Sequence, residues 1–303
     1  MKVGALTTAE LAICLRGEGL SFSIGNFDIC LKSPLESVAK AVSLFYGDYK
    51  LCEASRFIDY RVQVAPPSAI RRWFRPQVNF SFDGLMPFKP LPQAQAFAMF
   101  EWGLNWVIAN NAHQFLVVHA AVVERHGMAL IFPGSPGSGK STLCAALVNR
   151  GWRLLSDEMA LISLANGLVT PFPRPVSLKN ASIDIIRMFA KEAVISDVIH
   201  ETAKGSVAHM RAPAGSIEAC GQQAIPAAVI FPRWQAGAAS SLIEIPKGQT
   251  LLRVAENSFN YNVLGIAGFN ALANLIDRCR CYAFSYELLD EAVETIGGLA
   301  QIA

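Results

Sequence analysis

Hydrophobic and polar residues alternate with a period of two in several short segments near the start of the chain, a pattern typical of half-buried β-strands. One further segment has apolar residues at three- and four-residue spacing, which is typical of a helix. Gly25-Asn26 separates the first two alternating segments and favours a tight hairpin turn. The pattern therefore predicts strands over residues 20–24, 27–31, 58–64 and 78–82 and a helix over residues 35–45.

A cluster of prolines marks the end of this first region. Pro87, Pro90 and Pro92 follow the last of these strands, and such a cluster is typical of a linker. We therefore predict a smaller N-terminal α+β module over residues 1–92 and a larger domain over residues 93–303.

The larger region mixes helical and strand patterns. A helix is predicted from Gln93, and another over residues 263–276 that is apolar on nearly all sides and is therefore expected to be buried. Residues 192–223 have few apolar runs and are expected to form loops. Further strands are predicted over residues 115–123, 128–132, 152–158, 160–164, 168–171, 227–231, 242–245 and 282–286, with helices over 143–148 and from Leu288 onwards.

The composition supports a well-packed protein. Hydrophobic residues make up 52% of the 303 residues, which supplies a sizeable core and argues against disorder. The net charge of +2 is too small to indicate nucleic-acid binding. The most basic stretch, residues 71–75, is better explained as a solvated turn with an aromatic anchor.

Seven cysteines are scattered along the chain without a Cys-x-x-Cys pair, which favours free thiols over disulfides or zinc. The N-terminus lacks the pattern of a signal peptide, and no apolar run is long enough for a membrane span. We therefore expect a cytoplasmic protein. The hydrophobic content also allows for a homo-oligomer interface.

The strongest functional signal is a glycine-rich loop at residues 134–142, placed between a predicted strand and a predicted helix. It fits the phosphate-binding pattern G-x-x-x-x-G-K-[ST] in the context that this motif requires. Lys140 would reach the β- and γ-phosphates, and the Ser141 hydroxyl would ligate Mg²⁺. ATP and Mg²⁺ are the expected cofactors, and the alternative is a glycine-serine turn that happens to precede Lys-Ser-Thr. The predicted nucleotide-binding residues are Gly134, Ser135, Pro136, Gly137, Ser138, Gly139, Lys140, Ser141 and Thr142.

Two adjacent acids, Asp157 and Glu158, end the strand predicted after the loop helix. Asp157 lies 17 residues beyond Lys140, and a parallel neighbour strand would place its carboxylate beside the nucleotide phosphates. A carboxylate there can hold Mg²⁺ or accept the proton of an attacking hydroxyl. The alternative is a solvated strand end.

One histidine and one group of asparagines are further polar residues with a candidate role. His119 lies in an apolar strand ahead of the loop, where it is either a core histidine with a partner or a contact of the γ-phosphate. Asn257, Asn260 and Asn262 are expected to form a turn with capping side chains.

Cations that could neutralise a transferring phosphoryl group occur in two later segments. Arg174, held extended by flanking prolines, and Lys179 lie in the first. Lys204, His209 and Arg211 lie in the second and could line a phosphate or peptide site. In isolation, both segments are typical of solvated loops.

The order of these motifs resembles the catalytic core of bacterial HPr kinase/phosphorylase. The resemblance rests on His119, the glycine-rich loop, Gly151-Trp152 and residues 155–158, and it is close over residues 115–165. Over the rest of the chain the resemblance is weaker.

Two later segments, 173–180 and 204–211, look more like the branch called HPr kinase-related proteins, type A. That branch accompanies small peptide-recognition proteins and peptide-modifying enzymes in bacterial gene clusters. Such a recognition protein is therefore a possible partner.

The resemblance implies an α/β fold with a P-loop kinase core of the HPr kinase and phosphoenolpyruvate carboxykinase type, built on a mixed sheet. It implies an ATP- and Mg²⁺-dependent kinase that phosphorylates a serine of a protein or a ribosomal peptide. A small-molecule kinase with the same core and a nucleotide-regulated NTPase or docking module remain alternatives.

The resemblance also implies residue roles. Lys140 would hold the nucleotide phosphates, Ser141 would bind Mg²⁺, and Asp157 would be the general base and lie at the metal. Glu158 would support the metal, and His119 would contact the transferring phosphate or its base. Arg174 or Arg211 would offset the charge that grows during transfer.

The chain departs from the parent family in three ways. Glu158 stands where the family has aspartate, which alters the metal geometry. The family's late Pro-Gly-Arg-Asn loop has no counterpart, so the resemblance does not extend to reverse phosphorolysis. The N-terminal region does not resemble the family's regulatory domain, so HPr is not the expected substrate. The parent family forms hexamers.

Overall fold

The structure is a computed structural model that describes residues 1–53, 55–67, 75–135 and 137–299. Pro136 of the glycine-rich loop and residues 71–74 of the basic stretch lie outside the described residues.

The N-terminal region forms a five-stranded sheet in which the strands follow one another in chain order. The predicted hairpin at Gly25-Asn26 is confirmed, because the strands before and after it pair antiparallel. Only the second and third strands pair in parallel, since a helix crosses between them. The elements are α1 (Thr8–Arg16), β1 (Leu20–Ile24), β2 (Phe27–Lys32), α2 (Glu36–Tyr46), β3 (Tyr60–Ala65), β4 (Gln77–Phe82) and β5 (Leu91–Pro92).

Helix α1 was not predicted from the hydrophobic pattern, and its start depends on polar side chains. The Thr7 side chain accepts a hydrogen bond from the backbone N–H of Glu10, and the Glu10 carboxylate accepts one from Thr7. This capping box satisfies N–H groups that the helix itself leaves free.

The remaining elements in the described residues follow in chain order. They are α3 (Ala96–Asn111), β6 (Phe115–Val118), β7 (Ala120–Arg125), β8 (Met128–Pro133), α4 (Lys140–Val148), β9 (Arg153–Ser156), β10 (Ala160–Ser163), β11 (Val169–Thr170), β12 (Val176–Lys179), α5 (Ala181–Phe189), β13 (Ile199–Thr202), β14 (Gly205–Met210), α6 (Ala214–Glu218), β15 (Ile225–Trp234), β16 (Ser241–Glu244), α7 (Lys247–Glu256), α8 (Tyr261–Leu264), α9 (Ile266–Arg278), β17 (Arg280–Tyr286) and α10 (Leu289–Leu299).

Helix α3 packs against the N-terminal sheet, on β3 and β4. Gly103 permits this close approach, because a Cβ atom there would overlap the ring of Phe80. The first region and α3 thus share buried side chains, while the domain boundary between residues 92 and 93 stays a prediction.

A six-stranded mixed sheet in the order β16-β17-β15-β8-β7-β9 forms the centre of the second region. Strands β8, β15 and β17 are parallel neighbours, whereas β7 and β16 pair antiparallel with theirs. Successive residues of β7 and β8 belong to different core clusters, one shared with α4 and α10 and the other with α7 and α9. The chain is therefore an α/β protein with helices on both faces of a mixed sheet, and two smaller three-stranded sheets, β11-β10-β6 and β12-β14-β13, complete it.

Strand β9 is not the parallel neighbour of β8 that the sequence predicted. Strand β7 lies between them and pairs antiparallel with both. Strands β8 and β9 still run in the same direction, so the loop after β8 and the acids after β9 lie at one edge of the sheet. The prediction was wrong about adjacency because β7, the strand before β8 in the chain, pairs with both strands and lies between them. The single strand predicted over residues 115–123 is two strands, β6 and β7, in different sheets.

Two other expectations from the hydrophobic pattern were wrong. Residues 192–223, expected to be loops, contain β13, β14 and α6. The predicted buried helix over residues 263–276 is divided at Gly265, whose φ is +56°, and leaves Val263 and Ile266 70% and 80% exposed. Hydrophobicity alone does not show which apolar side chains have a neighbour to cover them.

None of the helices in the described part of the chain combines the length and the hydropathy needed to cross a membrane. All seven cysteines are free thiols in this structure.

Candidate functional site

The glycine-rich loop joins β8 to α4, and its backbone requires glycine. Gly137 and Gly139 have φ values of +86° and +93°, in the left-handed region that other residues rarely adopt. Gly139 is the residue before α4 and opens the helix without a side-chain cap. The first backbone N–H groups of α4 therefore have no capping side chain, which suits a site for an anion.

Lys140 is buried at the first position of α4. Its Nζ donates hydrogen bonds to the backbone oxygens of Gly134, at 2.5 Å, and Ser135, at 3.3 Å. Burial lowers the pKa of Lys140, while the nearby carboxylates of Glu158 and Asp157 raise it. The ammonium group thus lies inside the curve of the loop and close to both acids.

Asp157, directly after β9, has one engaged and one free carboxylate oxygen. Its Oδ2 accepts a hydrogen bond of 2.9 Å from the backbone N–H of Ser177, while buried Oδ1 has no partner among the described residues. Burial and the neighbouring Glu158 raise the pKa of Asp157 to about 6, although Lys179, Ser177 and the nearby Ser141 hydroxyl act in the opposite direction. A carboxyl group with this pKa can exchange a proton near neutral pH.

Both carboxylate oxygens of Glu158 are in contact with basic side chains. Lys179 Nζ donates to Oε1 at 3.1 Å, and His119 Nε2 lies 3.3 Å from Oε2. Burial alone would raise the pKa of Glu158, but His119 and Lys179 together lower it well below its ordinary value. The two adjacent acids are therefore unequal, because Glu158 stays ionised while Asp157 holds its proton more tightly.

His119 lies at the break between β6 and β7, and an irregular segment after α7 fixes it. Its backbone N–H donates to the Asn257 oxygen at 2.7 Å, and the Phe259 ring lies 5.6 Å from the imidazole. Asn260 does not cap a helix as expected, because its buried side chain bonds to the backbone of β6 at Val117 and Phe115. These contacts hold the end of β6 and so position His119 toward Glu158.

The segment with Lys204 and His209 contributes one cation to this area. Lys204 lies 5.0 Å from the Trp102 ring centre, and burial together with the charge of Lys179 lowers its pKa. His209 is buried against the Phe97 ring, and burial lowers its pKa to about 3. His209 is therefore neutral near neutral pH and supplies no charge to a phosphate.

Arg174 and Arg211 are engaged elsewhere. Buried Arg174 donates to the Glu101 carboxylate at 3.1 Å and also bonds to Asn105. Arg211 pairs with Asp48 at 2.5 Å, in a cleft that Val148 at the far end of α4 also lines. Since α4 has nine residues, that end lies about 13 Å from the glycine-rich loop. Arg211 is therefore remote from the loop, while Arg174 has donors taken up by Glu101 and Asn105.

The structure thus brings together the loop, His119, Asp157, Glu158 and Lys179, and adds Ser177 to them. The sequence had already marked Lys179 as a candidate cation, in the segment that also contains Arg174. Ser177 could not be predicted, because it contributes its backbone N–H, and no side-chain pattern signals such a donor. Of the loop itself, Ser141 and Thr142 are half-buried in the first turn of α4.

Comparison with known proteins supports a distant relationship over part of the chain. Residues 92–186 match a family described as SynChlorMet cassette protein ScmC. Two HPr kinase/phosphorylases from Treponema pallidum, one of them from the Nichols strain and the other from a second strain of the subspecies pallidum, are each 34% identical over 61 residues. That stretch is 20% of this chain, and it spans about a fifth (19%) of the length of the curated relatives. The matches indicate a distant HPr kinase-like relationship over that part of the chain.

Proposed function

We propose that the protein is an ATP- and Mg²⁺-dependent kinase that phosphorylates a serine hydroxyl of a protein or a ribosomal peptide. The observation that carries this proposal is the free, buried Oδ1 of Asp157 beside the loop lysine. A carboxylate with a pKa of about 6 at that place suits a general base that accepts a hydroxyl proton.

The glycine-rich loop would hold the phosphates of ATP as a P-loop, with its other residues from Gly134 to Thr142 enclosing them. Lys140 would exchange its bonds to the Gly134 and Ser135 oxygens for bonds to the β- and γ-phosphates. The N–H groups at the start of α4 would donate to the same phosphates.

In the transfer step, the serine oxygen forms a bond to the γ-phosphorus while the bond from that phosphorus to the β-phosphate oxygen breaks. The serine proton passes to Oδ1 of Asp157, and ADP leaves with the electron pair of the broken bond. Lys140 offsets the negative charge on the phosphates. His119 and Lys179 keep Glu158 ionised and in place beside Asp157.

The side chains at the loop fit Mg²⁺, which prefers oxygen ligands and retains several waters. The Ser141 hydroxyl would bind the ion directly, and Asp157, whose Oδ1 accepts the serine proton, would hold it through one of those waters. Both oxygens of Glu158 are already bound by Lys179 and His119, so Glu158 would support the metal indirectly unless one of these bonds is exchanged. When bound, Mg²⁺ would neutralise charge on the phosphate oxygens.

A polypeptide acceptor is the part of the proposal that rests on resemblance, and a transfer experiment tests it. Wild-type protein and Lys140→Ala would be incubated with ATP labelled at the γ-phosphate, together with neighbouring-gene peptides or proteins and a set of free hydroxyl metabolites. We expect label on a polypeptide serine with the wild type and none with Lys140→Ala. Label only on metabolites would instead identify a small-molecule kinase, and label released only as phosphate would identify an NTPase.

The pH dependence of transfer follows from the raised pKa of Asp157. The base must be ionised to accept a proton, and it is protonated below its pKa of about 6. We therefore expect kcat/KM to rise about tenfold per pH unit below that value and to level off above it. A rate profile measured between pH 5 and 8 that stays flat, or that falls as pH rises through 6, would contradict a general base at Asp157.

A further inference from the structure

Two aromatic residues border the glycine-rich loop on the side away from the acids. Trp234 ends β15, and its backbone N–H donates to the Ser138 oxygen at 3.3 Å. Tyr286 ends β17, and its hydroxyl donates to the Gly139 oxygen at 3.3 Å. A Cβ atom on Gly139 would lie 3.4 Å from Cβ of Trp234 and 2.7 Å from the Tyr286 hydroxyl. Both residues therefore touch the loop directly.

The two aromatic side chains differ in exposure. Tyr286 is buried and stacked on Phe284 with a ring separation of 5.2 Å. Trp234 is 52% exposed, yet its orientation is fixed, because Nε1 donates to the Glu287 backbone oxygen at 3.2 Å. A tryptophan that is held in place but left half uncovered is well suited to stack on a flat ligand.

The order of the strands determines which part of a nucleotide would reach Trp234. The acids follow β9, and Trp234 ends β15, on opposite sides of the loop that follows β8. Three strand spacings separate β9 from β15, or about 14 Å. If the γ-phosphate lies near Lys140 and Asp157, the opposite end of the nucleotide extends toward β15.

We propose that Trp234 is the stacking platform for the nucleotide base. This inference rests on the proposed nucleotide binding at the loop, and it adds a base-binding residue outside residues 92–186, the stretch that matches the family model. Stacking on an aromatic ring accepts any base, so Trp234 would add affinity without selecting strongly between adenine and guanine.

The test compares ligands with and without a base. Binding of ATP and of inorganic tripolyphosphate would be measured by calorimetry for the wild type, Trp234→Ala and Trp234→Phe. We expect Trp234→Ala to weaken ATP binding about tenfold to a hundredfold and to leave tripolyphosphate binding unchanged, while Trp234→Phe keeps most of the ATP affinity. Phe57→Ala, at an 80% exposed aromatic residue in the N-terminal region, is the matched control and should change neither ligand.

An equal loss for ATP and tripolyphosphate would overturn the inference, since it would show a distorted loop rather than a lost base contact. Unchanged ATP affinity in Trp234→Ala would overturn it as well. Absence of phosphate transfer to any acceptor would contradict the proposed kinase but not the platform, which is judged from binding alone. A wild-type protein that binds no ATP would overturn both.

Discussion

Replacing Asp157 with asparagine should reduce phosphate transfer by about 10²- to 10⁴-fold, the usual contribution of a general base, and leave ATP affinity nearly intact. Asparagine has the same shape, and its side-chain oxygen can still accept the hydrogen bond from the Ser177 N–H. It cannot accept a proton from serine. The loop and Lys140, which would bind the phosphates, are unchanged.

The fold should tolerate this change, because removing the charge relieves an unfavourable arrangement. Burial and the adjacent Glu158 raise the pKa of Asp157, which means that the folded protein disfavours its ionised form. We therefore expect the free energy of unfolding near neutral pH to stay the same or to increase. Loss of transfer could then not be attributed to unfolding.

The control is Asp184→Asn, the same substitution at a carboxylate whose side chain is 78% exposed on α5. It should leave single-turnover transfer, ATP binding and stability unchanged. Lys140→Ala provides the opposite pattern, since it should lose ATP binding along with transfer. Retained transfer in Asp157→Asn would refute the assignment of Asp157 as the base.

Much of the fold was predictable because its signals are local. The hairpin at Gly25-Asn26, helix α2 and the strands around the glycine-rich loop follow from alternation, helical spacing and turn residues. The break at His119 was not predictable in this way. Both β6 and β7 are apolar, and only their pairing with different partner strands shows that the chain passes from one sheet to another between them.

The candidate site was predictable where a motif fixes the spacing, and less so where distant segments meet. The loop and the Asp157-Glu158 pair were visible in the sequence. The contacts of Glu158 with His119 and Lys179 join three separate segments, and no local pattern specifies such contacts. For Arg174, the local sequence suggested a contact that the structure does not show. Its proline-flanked position suggested a phosphate contact, while tertiary packing pairs it with Glu101.

The arrangement around Arg174 leads to a second prediction of large effect, this time on stability. Arg174 and Glu101 have side chains only 8% and 6% exposed, and Tyr46 donates a hydrogen bond of 2.5 Å to the same carboxylate. Removing one partner of a buried ion pair leaves the other charge uncompensated, which typically costs about 3–5 kcal/mol. We expect Arg174→Met to lose about this much free energy of unfolding at neutral pH in urea denaturation.

The stability that Arg174→Met loses should depend on pH in a defined direction. Burial already raises the pKa of Glu101, and removing Arg174 would raise it further. The variant therefore keeps its stability below about pH 4.3, the ordinary value for glutamate, where the group is protonated in both states. It loses stability as pH rises through the raised pKa of the folded state, since ionisation then favours unfolding.

Two comparisons separate a structural role of Arg174 from a catalytic one. Adding Glu101→Gln to Arg174→Met removes the buried charge and should recover most of the lost stability, because Gln can still accept the hydrogen bond from Tyr46. Arg187→Met, which breaks an exposed pair with Asp184, should change stability little. If Arg174→Met instead keeps full stability and loses only phosphate transfer, Arg174 acts on the transferring phosphoryl group, and its ion pair with Glu101 must open during the reaction.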